Sequence, residues 1–220
     1  MNLETPPFEL GETLSGTHSD GTTLINYDWL GEVFPFPANR LEGANFRTVK
    51  TRWTGKGVKA VALRNVSGGV LVAKRLVIVG TGYDSTHLQY GHQGVTGFNR
   101  VVPDTQANAF PVVIVDPWLT LTVPDNDIFW GVIEGRVLVK KSYADTPADI
   151  AVGDALMGAT LNTTTGNTTG GGLGLLTAVT NNSTSVLFLG QNIVGYAISA
   201  MSSTSTNTDM LVDLAIRHYN

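Results

Sequence analysis

The chain has 220 residues, no cysteine, 42% hydrophobic and only 15% charged residues, against roughly 25% charged in an average soluble protein. Its 27 Thr, 24 Val and 25 Gly favour strands and turns and argue against a helical bundle, a coiled coil or a charge-rich disordered chain. The missing cysteines exclude a disulfide framework, a thiolate metal site and a cysteine nucleophile.

The N-terminus, M-N-L-E-T-P-P-F-E-L-G, has neither the basic region nor the apolar core of a signal peptide. Residues 1–23 carry Pro6-Pro7 and many Gly, Thr and Ser, with no periodicity. They read as an extended arm or a strand added late, whose deletion is expected to touch attachment to a partner more than folding. Phe34-Pro35-Phe36-Pro37 is a second extended piece. Either its rings anchor on a partner, or it is an edge of the core that its prolines blunt.

The charges are sorted along the chain. Residues 1–39 hold six acids and no Lys or Arg. The next stretch, 40–75, holds Arg40, Arg47, Lys50, Arg52, Lys56, Lys59, Arg64, Lys74 and Arg75 against one acid. Only Phe46 and Trp53 are interleaved with these bases, few for a single-strand nucleic-acid platform. The basic stretch is therefore expected to meet acidic protein surface, in the arm or on a neighbour, and not nucleic acid directly.

Strand signals follow in order. Val58–Asn65 and Val70–Val79 flank Ser67-Gly68-Gly69 and predict two strands joined by a short turn. Gly80–Gly97 reads as a loop. Pro111–Trp118 and the alternating Leu119–Val123 predict further strands. Pro124–Asp127 is a turn, and Ile128–Ile133 with Arg136–Val139 predict a hairpin around Glu134-Gly135. Ala148–Asp154 reads as a strand and turn leading into Ala155-Leu156-Met157. Residues 162–172 are a Thr/Asn/Gly loop, and Val186–Leu189, Ile193–Ala200 and Met210–Ile216 are strands. A short echo, V-L-V-A-K at 70–74 and V-L-V-K-K at 137–141, raises the option of a duplicated module. The expected fold is all-β: a sandwich or barrel-like β domain, or two, with an extended N-terminal arm. Residues 1–39 form the arm and 40–220 the body, divisible into modules at 40–123 and 124–220.

Candidate chemistry is thin. Ser85, His87 and Asp84 are neighbours in sequence, but no G-x-S-x-G elbow exists. His87 and His92 do not have a metal-ligand spacing. Asp125 and Asp127 are better read as turn residues than as cation ligands. The Gly-rich runs at 80–82 and 170–174 lack the Lys of a phosphate loop. The expectation is no catalytic residue, no metal, no cofactor and no enzyme activity. No apolar run of 18 residues exists, so no membrane-spanning helix is expected.

Three segments carry a family resemblance. Asn126–Asp154 reads N-D-I-F-W-G-V-I-E-G-R-V-L-V-K-K … I-A-V-G-D-A-L, and 193–216 reads I-V-G-Y-A-I-S-A-M … T-N-T-D-M-L-V-D-L-A-I. These two resemble head decoration, or cement, proteins of tailed bacteriophages, and the hairpin-like run at 61–77 looks like phage structural proteins more generally. The long N-terminal third departs from the short members of that group. The resemblance implies a structural virion protein on the outer capsid surface that bridges neighbouring major capsid subunits. It implies partners in the major capsid protein and in further copies of itself, as a homotrimer. Phe34, Phe36, Arg47, Lys50, Arg52, Lys56 and Lys59 are the interface candidates. The competing readings are another virion β protein (tail, fibre or baseplate) and a carbohydrate-active β enzyme using Asp125 and Asp127.

Overall fold

The computed structural model describes residues 5–36, 57–80, 94–95, 112–141, 149–159, 172–175, 193–202 and 209–216. These residues are all-β, with ten strands: β1 (Val33–Phe36), β2 (Val58–Asn65), β3 (Leu76–Gly80), β4 (Gly94–Val95), β5 (Val112–Val115), β6 (Ile128–Lys140), β7 (Ala155–Ala159), β8 (Gly172–Leu175), β9 (Ile193–Ala197) and β10 (Asp209–Ala215). They form one sheet in the order β1-β2-β4-β3-β5-β6-β10-β9-β7-β8, and β2 also pairs β6 directly. The order begins at β1 and ends at β8, so the sheet as a whole is not closed. All pairings are antiparallel except β2–β4.

The central strand, β6, changes character along its length. Residues 128–133 (I-F-W-G-V-I) are buried throughout, as a continuous apolar run covered on both faces should be. From Glu134 to Lys140 burial alternates, the signature of a strand with one solvated face. The change falls at an irregularity in the β2–β6 register, where Lys59 pairs Glu134 but Ala60 pairs Val132, leaving Ile133 over. Gly135, at φ 115°, sits beside it. A Cβ there would lie 2.8 Å from Val58 Cγ1 and 2.9 Å from the Gly57 carbonyl oxygen, so only glycine fits. The expected hairpin turn at Glu134-Gly135 is thus a bulge within one 13-residue strand.

Two other expectations fail for identifiable reasons. Val58–Asn65 is β2, but it does not form a hairpin with Val70–Val79. Leu71 makes an isolated bridge with Val123, Lys74 takes a positive φ of 67°, and the strand begins only at Leu76. β3 then pairs β5 and β4. Leu119–Val123 alternates cleanly, yet only Val123 finds a bridge partner, and Thr120, Leu121 and Thr122 are exposed. Alternation without a neighbouring strand to satisfy the backbone does not make a strand. The 70–74 and 137–141 echo is likewise not a structural repeat, since the first is a bridge and kink and the second is β6. By contrast, β9 and β10 lie where the alternation places them. The expected loop at 162–171 and strand at 186–189 lie outside the described residues.

The N-terminal segment is irregular in backbone, as its sequence implies, but it is not a free arm. Pro6, Leu10, Gly16 and Leu30 are buried. Leu14 bridges Ile128, with both backbone bonds formed (2.9 and 2.8 Å). Phe8 stacks on Trp130, with ring centroids 4.5 Å apart. Residues 5–31 act as a strap over the fully buried first half of β6.

Candidate functional site

The interface candidates fall into three groups. Phe34 and Phe36 lie on β1, where the alternating burial turns both rings inward. Each meets Trp130 edge-on, at 5.3 and 5.1 Å between centroids. At 2% and 1% exposure they are core residues, and burying one such ring contributes about 1.5–3 kcal/mol. The partner-anchor reading of these two rings therefore gives way to the blunted edge. The Ala62 N–H donates to the Glu32 carbonyl, which in an antiparallel register leaves the Val33 and Pro35 backbone groups facing away from β2. Pro35 has no N–H to offer a further strand. Lys59 is half-exposed and pairs with Glu134 across β2–β6 at 2.7 Å. Arg47, Lys50, Arg52 and Lys56 lie outside the described residues, as do Asp84, Ser85, His87 and His92.

The polar groups that organise the molecule are others. Arg64, near the end of β2, is 1% exposed. Its Nη1 donates to the Gly16 carbonyl (2.7 Å) and the Asn126 carbonyl (3.1 Å), and its Nη2 to the Ile25 carbonyl (2.5 Å). Burial lowers its pKa, with Tyr27 and Asp127 opposing. Asp116, just past β5, is fully buried. Its two oxygens accept the N–H groups of Gly11 (2.6 Å) and Trp118 (2.9 Å). Burial pushes this carboxyl up to about 7, against the pull of those two donors. Asn65, also buried, faces the carbonyls of Gly69, Val123 and Pro124 through Nδ2 and accepts the Ser67 N–H through Oδ1.

Asp125 and Asp127 behave as turn residues. Asp125 accepts the Gly68 N–H at 3.0 Å, and Asp127 accepts the Gly16 N–H at 3.4 Å. Burial raises the Asp127 carboxyl. Gly16 is held so closely that a Cβ would overlap the Asn126 carbonyl oxygen and lie 2.5 Å from Arg64 Nη1. Arg64, Asp116 and Asp127 thus clamp the strap at residues 11, 16 and 25. Their hydrogen bonds go to the chain's own backbone. Sequence reasoning counted Arg64 with the surface-facing basic stretch and passed over Asp116, although each has a signal: one charge set in an apolar run (V-A-L-R-N and V-V-I-V-D-P), where a charge survives only if bonded.

Among the described residues no group of three or more His, Cys, Asp or Glu side chains is placed to hold a metal. No helix among them is long and apolar enough to cross a membrane.

Two of the three segments of the resemblance, 126–154 and 193–216, fall on or lead into one contiguous run of strands, β6-β10-β9-β7, whereas 61–77 falls on β2 and the start of β3. Glu134-Gly135 is the β6 bulge, Gly153, at φ 91°, opens the turn into β7, and Gly195 lies on β9 against β10. A Cβ on Gly195 would lie 2.5 Å from the Asp213 carbonyl oxygen. Across β6–β10–β9, Arg136 pairs Asp213 and Asp213 pairs Tyr196 in register.

No family model matches the chain, and no curated protein does. Among solved structures it is similar to the crystal structure of the head fiber gp8.5 N base in bacteriophage phi29. The identity is 14%, over 71% of this chain and 95% of that one, with a TM-score of 0.35. Backbones that agree this loosely transfer no role.

Proposed function

We propose that this chain is a structural protein of a tailed-bacteriophage virion, which binds the outside of the capsid, bridges neighbouring major capsid subunits and stabilises the head without catalysis. The observation that carries the proposal is the placement of the resemblance. Its two main segments, far apart in sequence, assemble into one sheet region, β6-β10-β9-β7, and its glycines occupy positions that the backbone restricts to glycine. The use of Arg64, Asp116 and Asp127 as internal clamps supports a braced, non-catalytic body.

Charge supports protein partners. Glu9, Glu12, Asp28 and Glu32 are exposed on the strap and β1 approach, while Arg47, Lys50, Arg52 and Lys56 follow in one basic stretch. Opposite charge on adjacent stretches of one chain suits matched contacts between copies in a homotrimer and with capsid protein. A protein that binds only the assembled lattice stabilises it by mass action.

Co-sedimentation with purified heads tests the reading. The expected result is saturable binding, weakened by charge reversal at Lys50, Arg52 and Lys56 and then less sensitive to salt. Absence of binding to heads overturns it. Binding to purified tails instead moves the assignment to a tail, fibre or baseplate component.

A further inference from the structure

We propose that the strap carries a pH-sensitive latch: residues 5–12 come away from β6 as pH rises, while residues 14–31 stay docked. The two parts are held by clamps of different chemistry. From Leu14 on, the strap is tied by main-chain bonds and a cation. Leu14 exchanges both backbone bonds with Ile128 (2.9 and 2.8 Å), Thr17 bridges Leu24, and the Ile25 N–H donates to the Gly16 carbonyl (2.8 Å). The Arg64 guanidinium takes the Gly16 and Ile25 carbonyls, and a guanidinium keeps its charge at any pH a protein survives.

Residues 5–12 have no such cation. Phe8 stacks on Trp130, the Trp130 indole N–H donates to the Phe8 carbonyl (3.2 Å), and Leu10 is buried. The remaining tie is the Gly11 N–H on Asp116 (2.6 Å), and it alone titrates. Gly11 packs so closely on the loop after β5 that a Cβ would lie 3.3 Å from the Trp118 carbonyl oxygen. This segment therefore forms part of the cover that keeps Asp116 at 0% exposure.

Among the described residues both partners of the Asp116 carboxylate are main-chain N–H groups, of Gly11 and Trp118. The charged groups on the surrounding elements do not compensate it. Glu9 and Glu12 flank Gly11 and carry the same sign. Lys74, across from β5, pairs Asp209, and Arg75 beside it is drawn to Asp209 as well. Arg64 serves residues 16, 25 and 126. The stretches 117–123 and 128–133 hold no charge. A buried carboxylate without a cation resists ionisation, and once charged it gains by meeting water, which it reaches when the segment over it leaves.

Closed, the group titrates at about 7; open to water, it titrates near the ordinary value of about 4. The closed state holds the extra proton between those values. Closure is thus favoured at the low end, and opening grows by up to about tenfold per pH unit, levelling off above about pH 7. Opening uncovers the Trp130 ring on which Phe8 stacks. An aromatic surface is hidden at lower pH and offered at higher pH. The latch does not depend on the virion assignment.

The chain has no cysteine, so single cysteines can report opening by their alkylation rate. Leu10→Cys and Leu30→Cys place thiols under the two parts of the strap, at positions 3% and 7% exposed. Ser19→Cys, on the exposed turn, supplies the reference that removes the thiol's own pH dependence. The Leu10-to-Ser19 rate ratio should rise at least tenfold between about pH 5 and 7, the Leu30-to-Ser19 ratio should stay level, and far-UV circular dichroism should not change. Adding Asp116→Asn should flatten the Leu10 response. A level Leu10 ratio, a Leu30 ratio that rises with it, or a rise that survives Asp116→Asn overturns the proposal. The comparison of Leu10 with Leu30 needs no change at Asp116, so it decides even where Asp116→Asn does not fold.

Discussion

The two halves of β6 use charge in opposite ways. Along Ile128–Ile133 the strand is covered by the strap, and the charges near it, Arg64 and Asp116, are buried and bonded to backbone groups of residues 11, 16, 25, 118 and 126. Along Glu134–Lys140 the charges are partly exposed and pair across strands: Glu134 with Lys59, Arg136 with Asp213, Lys140 with Asp209. A buried charge bonded to backbone specifies where the chain must run, because any other path leaves it unpaired. A cross-strand pair on a solvated face adds little stability. The first half therefore encodes the path of the strap, and the second half presents a surface.

The largest effect expected from this contrast is loss of the strap. Deleting residues 1–23 uncovers Trp130, takes the Gly16 carbonyl from Arg64 and takes the Gly11 N–H from Asp116, so the free protein should unfold at much lower urea concentration. This reverses the sequence-based expectation that the segment serves attachment more than folding. An unchanged unfolding midpoint for the deletion variant would erase the distinction between the two halves.

Next in size is Arg64→Met, which keeps the stem but strands three carbonyls. A loss of about 3–5 kcal/mol is expected from urea unfolding. A loss under about 1 kcal/mol would mean that the clamp is dispensable.

Asp116 adds a pH signature. Its folded pKa, about 7, lies above the ordinary carboxylate value, so the native state binds more protons than the unfolded state between about pH 4 and 7. Its stability contribution is full below that window and is lost as pH rises through it. The stability of wild type relative to Asp116→Asn should accordingly fall with rising pH, by at most about 1.4 kcal/mol per pH unit. A flat or rising difference across pH 4–7 would contradict the burial argument.

The smallest effect belongs to the outer half. Lys59→Met removes one half-exposed ion pair and should shift stability by less than about 1 kcal/mol. A larger loss in urea unfolding would show that this face is more than surface.

Much of the fold is readable from residues alone. β2, β9 and β10 follow their apolar patterns, and Ile128–Ile133 is a strand as expected, while its burial on both faces was not read from the sequence. What escaped reading was non-local. Whether Phe34 and Phe36 point inward is decided by Trp130, nearly a hundred residues away in sequence. L-T-L-T-V has strand periodicity, but periodicity does not supply the neighbour that its backbone needs. Glu134-Gly135 suits a turn or a bulge equally, and the pairing of Lys59 with Glu134 selects the bulge. Arg64 and Asp116 announce a buried bonded charge, while their partners are main-chain groups that no side-chain pattern reveals. Of the interface candidates, Phe34 and Phe36 proved to be core, and Lys59 an intramolecular ion-pair partner.

The most direct test of the central proposal is an image reconstruction of the phage particle that carries this chain. The account predicts density for the ten-stranded body on the outer surface of the head, touching more than one major capsid subunit. Particles whose heads show no such density would contradict it.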